Sequence, residues 1–246
     1  MAGDSIAAYD VLARVASYDA DMEVMHPNRA VMADVIVDIL EAAAAAPKLV
    51  LDLGTGTGFL LERALGRFPE ARAIAVEGAS HMVDLAKSRL GSLARRVDCR
   101  VGDFRALGEL CRDLSAIDAV ISSFALHHLS RPEKDALLKH VCRLLRPGGW
   151  FLNADIVVSE DSVLEEVIQR RRVRGIVRRA SPSDTRFADE ATTRKFLDDL
   201  EQKEGDQPLT LDEDLAILRD AGFHHVDVFW CDTREVVYGG LVRDSR

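Results

Sequence analysis

Leu49-Val50-Leu51-Asp52-Leu53-Gly54-Thr55-Gly56-Thr57-Gly58 joins an apolar run to three alternate glycines, and a helical pattern follows. The apolar run has the length and composition of a buried strand. Glycine tolerates a positive φ and has no Cβ, so the backbone of the loop can approach a ligand closely. The helix behind the loop offers unpaired N–H groups and a partial positive charge. The stretch therefore predicts a strand, a turn and a helix that together bind a nucleotide-like ligand.

Two classes of cofactor use such a loop, and its sixth position separates them. The dinucleotide fingerprint has Gly-x-Gly-x-x-Gly or Ala, because a small residue there lets the helix pack closely on the strand. Here the sixth position is Phe59, and the glycines follow Gly-x-Gly-x-Gly behind an acidic residue, Asp52. This pattern resembles motif I of the class I S-adenosylmethionine-dependent methyltransferases. The loop thus favours a methyl donor, and a nicotinamide cofactor is the lower-ranked alternative.

Two later strand ends carry groups that suit an adenosyl ligand. Residues 73–76 form a short apolar run before Glu77, whose carboxylate can accept the ribose hydroxyl hydrogens. Residues 99–104 predict the next strand, with Asp103 able to accept from an adenine amino group and Phe104 beside the ring. This second segment matches the family's adenine-binding segment. Asp103 could instead act only as the N-cap of a helix.

A fourth predicted strand, residues 119–121, opens into Ser122-Ser123-Phe124-Ala125-Leu126-His127-His128-Leu129. The segment resembles the part of the family that lines the methionine moiety and faces the methyl acceptor. A general base helps methyl transfer without being essential, and His127 is the first candidate, followed by His128. Further candidates are Asp155, at the end of the fifth strand, and Tyr9, Tyr18 and His26 near the amino terminus.

The resemblance implies S-adenosyl-L-methionine as cofactor and S-adenosyl-L-homocysteine as product. The predicted cofactor-binding residues are Asp52, Gly54, Thr55, Gly56, Gly58, Glu77, Gly78, Met82, Gly102, Asp103, Phe104, Ser123 and Phe124. The predicted catalytic residues are His127 and His128. No metal is expected, because the four cysteines at 99, 111, 142 and 231 lack the close spacing of a zinc site.

Strand and helix patterns alternate from about residue 48 to 157, which predicts an α/β fold with a parallel sheet and helices on both faces. The family resemblance extends this to a Rossmann-like, seven-stranded sheet whose last strand is antiparallel. We expect one domain with four segments. These are an amino-terminal helical cover (1–45), a cofactor-binding core (46–157), a helical insertion or lid (158–208), and a terminal helix and strands that complete the core (209–246).

The composition of the sequence narrows the cellular location and the binding partners that we expect. The 246 residues carry a net charge of −9, which disfavours nonspecific binding to nucleic acids. Arg170, Arg171, Arg172 and Arg174 nevertheless leave an RNA partner open, although pairing with nearby acids is the preferred interpretation. Residues 1–5 do not begin a leader peptide and no apolar run could span a bilayer, so we expect a cytoplasmic protein. An oligomer is not excluded.

The layout of the whole chain also resembles, more loosely, the carboxy-S-adenosylmethionine synthase of tRNA wobble-uridine modification. That family uses an arginine before its last strands to hold the extra carboxylate of its cofactor, whereas Thr210-Leu211-Asp212-Glu213-Asp214-Leu215 is acidic here. We therefore expect ordinary methyl transfer to a small molecule. A tRNA-modifying methyltransferase and a noncatalytic cofactor-binding partner subunit are the alternatives.

Overall fold

A computed structural model describes residues 4–243, apart from the side chains of residues 4, 5 and 12–16. The outermost residues of the first and last predicted segments, 1–3 and 244–246, lie outside the described part. Within it, Cys99, Cys111, Cys142 and Cys231 are free thiols. None of the helices in residues 4–243 combines the length and apolar character needed to cross a membrane.

Seven strands form one sheet in the order β3-β2-β1-β4-β5-β7-β6. The strands are β1 (Leu49–Leu53), β2 (Arg72–Glu77), β3 (Val97–Val101), β4 (Ile117–Ser123), β5 (Leu145–Ile156), β6 (His224–Asp232) and β7 (Glu235–Leu241). The first five strands run parallel, and β7 is antiparallel to both β5 and β6. The predicted fold class is confirmed, including the antiparallel last strand.

Helices cover both faces of this sheet. The helices are α1 (Asp4–Tyr9), α2 (Leu12–Met25), α3 (Arg29–Ala42), α4 (Phe59–Arg67), α5 (Ser80–Leu90), α6 (Leu107–Leu110), α7 (Arg131–Leu144), α8 (Ser162–Arg179), α9 (Glu190–Glu204) and α10 (Leu211–Asp220). Alternate residues of a strand point to opposite faces, so Val50 packs into the core beneath α3, α4 and α5, while Leu51 packs beneath α6, α7 and α10.

The predicted amino-terminal cover divides into two parts in the structure. α3 belongs to the core, because Met32, Ile36 and Leu40 are buried against the sheet in the same cluster as Leu152 and Val237. α1 and α2 instead contact the helices of the 158–208 insertion, with α1 on α9 and α2 on α8. Of the predicted amino-terminal cover, α3 thus packs on the sheet, whereas α1 and α2 also contact α8 and α9, which we name with them the cover.

Two helices on the sheet face to which Leu51 points, α7 and α10, begin with the reciprocal hydrogen bonds of a capping box. The Glu133 carboxylate accepts the backbone N–H of Ser130 at 2.8 Å at the start of α7. The Glu213 carboxylate accepts the backbone N–H of Thr210 at 3.0 Å at the start of α10. These local signals fix helix starts that position the loops at the sheet edge.

The strand order reverses between β1 and β4, because β1 leads to β2 on one side and β4 leads to β5 on the other. In open α/β sheets a crevice forms outside the carboxyl ends of the strands at such a reversal. The glycine loop after β1 and the loop after β4 both lie there, which places the predicted ligand segments at one site.

Candidate active site

A cavity of about 780 Å³ lies at the carboxyl ends of β1, β2, β3 and β4. Nearly all of the predicted cofactor-binding residues line it, namely Asp52, Gly54, Thr55, Gly56, Glu77, Gly78, Met82, Gly102, Asp103, Phe104, Ser123 and Phe124. The topology thus brings residues from four separate strand ends to one rim.

Gly58 is the predicted site residue that does not line the cavity. It is the N-cap of α4 with a φ of 77°, and a Cβ there would lie 3.2 Å from Ala86 on α5. Gly54, in contrast, lines the cavity with a φ of 70°, and its added Cβ would lie 2.5 Å from the Cβ of Ala125. The two glycines therefore have different roles. The missing side chain of Gly54 leaves room for Ala125 at the edge of the cavity, and that of Gly58 lets α4 pack closely on α5.

Asp52 is almost fully buried at the end of β1. Its Oδ2 accepts the Thr55 hydroxyl at 2.5 Å, but its Oδ1 is buried without a hydrogen-bond partner. Burial, together with the charge of Glu77, raises the pKa of Asp52 to about 7. Such an unpartnered acceptor costs stability unless a ligand supplies a donor.

Glu77 is held at the end of β2 by backbone donors. Its carboxylate accepts the N–H of Gly56 at 2.8 Å and the N–H of Ala79 at 2.9 Å. Burial raises the pKa of Glu77 in spite of these bonds. Each carboxylate oxygen retains acceptor capacity, so the geometry is compatible with the predicted ribose contact.

Asp103 serves as an N-cap and also lines the cavity. Its Oδ1 accepts the backbone N–H of Arg105 at 2.8 Å, and its Oδ2 accepts from the Arg105 guanidinium at 3.0 Å. Phe104 follows it at the cavity wall, with its ring edge close to Gly54. The capping alternative thus describes a real contact that does not remove Asp103 from the site.

Several cavity residues were not among the predicted cofactor-binding residues, namely Ile6, Arg29, Phe59, Leu60, Arg105 and Ala125. Arg29 donates to Asp19 at 2.7 Å and stacks on the Phe59 ring, with its guanidinium carbon 4.1 Å from the ring centroid. Its Nε is buried without a hydrogen-bond partner. The cavity therefore contains a cation and an anion, Arg29 and Asp52, that each retain an unmet hydrogen-bonding atom.

A second cavity of about 410 Å³ adjoins the first beneath the cover. Tyr9, Tyr18 and Phe124 line both cavities. The Tyr9 hydroxyl donates to the Glu204 carboxylate at 2.8 Å, which ties α1 to α9. Burial raises the pKa of Tyr9 well above its usual value. The second cavity is therefore closed by the same helices that cover the first.

His127 lies in the second cavity and His128 in the first. His127 Nδ1 lies 2.5 Å from Asp155 Oδ1. Burial opposes the charged ring, but Asp155 and Asp206 together raise the pKa of His127 above its usual value. Although burial also disfavours the carboxylate, His127 holds the pKa of Asp155 at about 2. Burial and the neighbouring His127 lower the pKa of His128.

The other predicted base candidates have fixed partners. His26 lies in the second cavity with its Nδ1 2.9 Å from Glu235, and burial lowers its pKa. The second cavity is thus lined by four of the predicted candidates, His127, His26, Tyr9 and Tyr18. Asp155 lines neither cavity and contacts His127.

Comparison with known proteins identifies the domain that carries this site. A family model described as a methyltransferase domain matches residues 50–149, which run from β1 into β5. Residues 50–149, about two fifths of the chain, are thus similar to a methyltransferase domain. An uncharacterized methyltransferase of Geobacillus kaustophilus is 32% identical over 133 residues, which cover 54% of this chain and 58% of that relative.

Two further matches span nearly the whole chain. A carboxy-S-adenosyl-L-methionine synthase of Helicobacter hepaticus is 25% identical over 236 residues, covering 94% of this chain and 92% of that relative. The solved complex of DhpI with SAH has a TM-score of 0.65 at 20% identity, covering 99% of this chain and 98% of that one. This last likeness shows a shared fold. Matches to the first two curated relatives span about three fifths of their length, 58% and 61%.

The acidic segment 210–215 lies away from both cavities. Neither of the two cavities is lined by any of its residues. Asp214 is buried against Lys134, with a carboxylate oxygen 2.7 Å from Nζ, and Glu213 pairs with Arg131 at 2.8 Å. The expectation that this segment repels a carboxylated cofactor was therefore wrong, because the segment lines neither cavity and the charges of Glu213 and Asp214 are paired elsewhere.

Four arginines of α8 lie close to acids, as the preferred interpretation expects. Arg170 lies 3.5 Å from Glu166, and Arg174 lies 3.1 Å from Glu190. Arg172 is nearly buried against Glu201 and lines the second cavity, so it does not offer a surface to nucleic acid. The RNA contact that the sequence left open for Arg172 therefore does not fit the structure. Arg170, Arg171 and Arg174 remain on the surface.

Proposed function

We propose that this chain is an S-adenosylmethionine-dependent methyltransferase that transfers the methyl group in line to an oxygen, nitrogen or carbon nucleophile of a small molecule. The observation that carries the proposal is the buried, unpartnered Oδ1 of Asp52 in a cavity that Glu77, Asp103 and Phe104 also line. An amino-acid ammonium group is the donor that such a carboxylate lacks.

The charges of the cavity match the two ends of the cofactor. Glu77 and Asp103 offer acceptors to the ribose and the adenine, and Phe104 offers a ring face. At the amino-acid end, Asp52 would bind the ammonium group and Arg29 the carboxylate. Arg29 suits this role because its Nε has no partner and the Phe59 ring fixes its guanidinium plane.

The second cavity is our candidate site for the methyl acceptor. It shares Tyr9, Tyr18 and Phe124 with the cofactor cavity, so an acceptor there would lie next to the cofactor's sulfur end. The sulfonium supplies an electrophilic methyl carbon, and the chain has to align the acceptor with it and exclude water. Alignment alone can supply about 7 to 11 kcal/mol.

Calorimetric titration tests the cofactor assignment with a pair of ligands. S-adenosylhomocysteine has the amino-acid end, and methylthioadenosine lacks it. We expect Arg29→Met to weaken S-adenosylhomocysteine binding by about 10- to 100-fold, since a charged hydrogen bond is lost, and to leave methylthioadenosine affinity nearly unchanged. Asp19 keeps Arg89 and Thr57 as partners in this variant, so no buried charge is stranded.

The matched control is Arg63→Met, because Arg63 stacks on the same Phe59 ring at 4.7 Å but pairs with Asp34 outside the cavity. This variant is expected to bind both ligands like the wild type. Equal losses for the two ligands in Arg29→Met would remove Arg29 from the amino-acid end. Binding of NAD without binding of S-adenosylhomocysteine would contradict the methyltransferase proposal itself.

A second candidate is an enzyme similar to carboxy-S-adenosylmethionine synthase. The match to the Helicobacter hepaticus protein over 94% of this chain favours it, and the acidic segment 210–215 no longer argues against it. Mass spectrometry of the ligand that copurifies with the chain separates the candidates. S-adenosylmethionine or S-adenosylhomocysteine supports the first, and a cofactor heavier by one carboxylate supports the second. Turnover by the purified chain alone would reject a noncatalytic role.

A further inference from the structure

His127, His128 and Asp206 form a buried cluster at the boundary of the two cavities. The side chains of all three are at least nine-tenths buried, with exposed fractions of 6%, 8% and 9%. Each offers one ligand atom, and the three atoms all lie within 4.8 Å of one another. Two imidazoles and a carboxylate that converge in this way are ligands of divalent transition metals.

The spacing of these atoms fits a common metal centre. His128 Nδ1 lies 3.0 Å from Asp206 Oδ1, and His127 Nε2 lies 3.7 Å from the same oxygen. Tetrahedral ligands at about 2.0 to 2.1 Å from a zinc ion are roughly 3.4 Å apart. The two measured distances lie on either side of that value, so small side-chain shifts would complete the geometry.

Asp155 contacts the ring nitrogen of His127 that does not face Asp206, and it thereby orients the ring. Its Oδ1 lies 2.5 Å from His127 Nδ1, and its Oδ2 accepts the His127 backbone N–H at 3.1 Å. A carboxylate on one ring nitrogen places the proton there and leaves the other nitrogen as a lone pair, which is the usual arrangement behind a metal-bound histidine. Here the nitrogen left over is Nε2, the atom that faces Asp206.

The loop that carries Asp206 is held against the histidines by its neighbour. The backbone N–H of Gln207 donates to the His127 carbonyl at 2.7 Å, and the Gln207 side chain contacts the His128 carbonyl at 3.4 Å. The cluster is thus fixed by main-chain contacts and does not depend on attraction between the three side chains.

His128 Nδ1 and Asp206 Oδ1 are both buried and lie 3.0 Å apart as an ion pair. The angles between them are not those of a well-formed hydrogen bond, and among the described residues neither atom has another hydrogen-bond partner. A bound cation would satisfy both atoms. We propose that His127 Nε2, His128 Nδ1 and Asp206 Oδ1 bind one divalent transition-metal ion, with Zn²⁺ as the probe.

The position of this site gives the ion a place in substrate recognition. His128 lines the cofactor cavity, while His127 and Asp206 line the second cavity. Three protein ligands leave a coordination position open. Because the ion lies where the cavities meet, that position would take an oxygen or nitrogen of the methyl acceptor. This role rests on the proposed function, whereas metal binding itself does not. It also replaces the base role that the sequence predicts for His127, and the expectation of no metal.

Zn²⁺ titration of the chelator-treated full-length chain tests the proposal. We expect one equivalent to bind in competition with a chromophoric chelator, and bound Co²⁺ to give visible absorption bands. His128→Gln and Asp206→Asn should each lower Zn²⁺ affinity by about 100-fold or more, and Asp155→Asn by about 10- to 100-fold. The matched control is His224→Gln with His225→Gln, an adjacent histidine pair that is exposed on β6. It should keep the full affinity.

The proposal is overturned if the wild type takes up no Zn²⁺, if Asp206→Asn binds Zn²⁺ like the wild type, or if the control pair abolishes binding. Circular dichroism and S-adenosylhomocysteine titration without metal show whether each variant is folded. They also separate the two proposals. Intact S-adenosylhomocysteine binding without Zn²⁺ uptake contradicts the metal site alone, and Zn²⁺ uptake without S-adenosylhomocysteine binding contradicts the methyltransferase assignment alone.

Discussion

Asp52 illustrates how a buried carboxyl group without a full set of partners can destabilise the protein that contains it. Its carboxyl group is 1% exposed and its Oδ1 has no partner. Burial, with a contribution from Glu77, raises its pKa to about 7, whereas an unfolded aspartate ionises near 3.9. Between these values the folded chain holds one proton more than the unfolded chain, so the stability contributed by this group falls as the pH rises.

We therefore predict opposite effects of Asp52→Asn on stability and on binding. Without ligand at pH 8, the free energy of unfolding should rise by about 1 to 3 kcal/mol, because a buried charge is removed. Affinity for S-adenosylhomocysteine should fall by about 10-fold or more, because the amide cannot pair its charge with an ammonium group. Urea unfolding at pH 5 and pH 8, with calorimetry at pH 8, measures both.

Asp118→Asn is the control for the sign of the stability change. Asp118 accepts the backbone N–H groups of Lys48 and Leu49 and pairs with Arg146. Burial opposes its charge, but these partners lower its pKa below the usual value. Its variant should lose stability at pH 8. If Asp52→Asn also loses stability there, the unpartnered charge is not the cost that we infer.

Residues directly after strands could be predicted as site residues, and residues on separate helices could not. Asp52, Glu77 and Asp103 each follow an apolar run, so the parallel sheet by itself brings them to one edge. Arg29 lies on a helix that precedes the first strand, and only the packing of α3 on the sheet brings it to the cavity. Asp206 lies near the end of the 158–208 insertion and contacts His128. No sequence spacing predicts this contact.

At the scale of elements, the β1–α4 connection depends on how closely the loop after β4 approaches it. A Cβ on Gly54 would meet Ala125 at 2.5 Å, and the backbone φ of 70° disfavours any residue with a side chain. Gly54→Ala should lower the free energy of unfolding by about 2 to 5 kcal/mol, through overpacking and the left-handed backbone. Chemical denaturation measures this loss.

Gly66→Ala is the matched substitution on the same connection. Gly66 lies in α4, and an added Cβ there meets nothing within 4 Å. This variant should gain up to about 1 kcal/mol, since alanine is the better helix former. S-adenosylhomocysteine affinity should be lost in Gly54→Ala and kept in Gly66→Ala. If the two variants have similar free energies of unfolding, the loops after β1 and β4 can move apart without destabilising the fold.

Element starts with a local signal were predictable, and element roles were less so. The capping boxes at Ser130 and Thr210 each involve only four consecutive residues, because the contacts that define them lie within one turn. The helical pattern of α3 was also visible, but its place against β5 and β7 depends on the complete sheet. A helical sequence pattern predicts which face of the helix is apolar, but it does not predict which element packs against that face.

At the scale of the whole molecule, the cover and the core meet across the two cavities. Ile6 and Tyr9 of α1 and Tyr18 of α2 line the cofactor cavity, and Tyr9 bonds to Glu204 of α9. These helices contact one another more than they contact the sheet. A ligand that touches both layers should therefore oppose opening of the cover.

We predict that S-adenosylhomocysteine slows amide hydrogen exchange in α1 and α2. At a free ligand concentration of 100 Kd, any opening that destroys the site becomes about 100-fold rarer, equivalent to about 2.7 kcal/mol. Mass spectrometry of peptides from residues 4–25 measures the change. The first turn of α8 is the internal control, because Val163 and Leu164 are exposed and line neither cavity, so its local exchange should be unaffected. Unchanged exchange in residues 4–25 with ligand bound would mean that the cover opens while the cofactor stays in place, and that α1 and α2 do not enclose it.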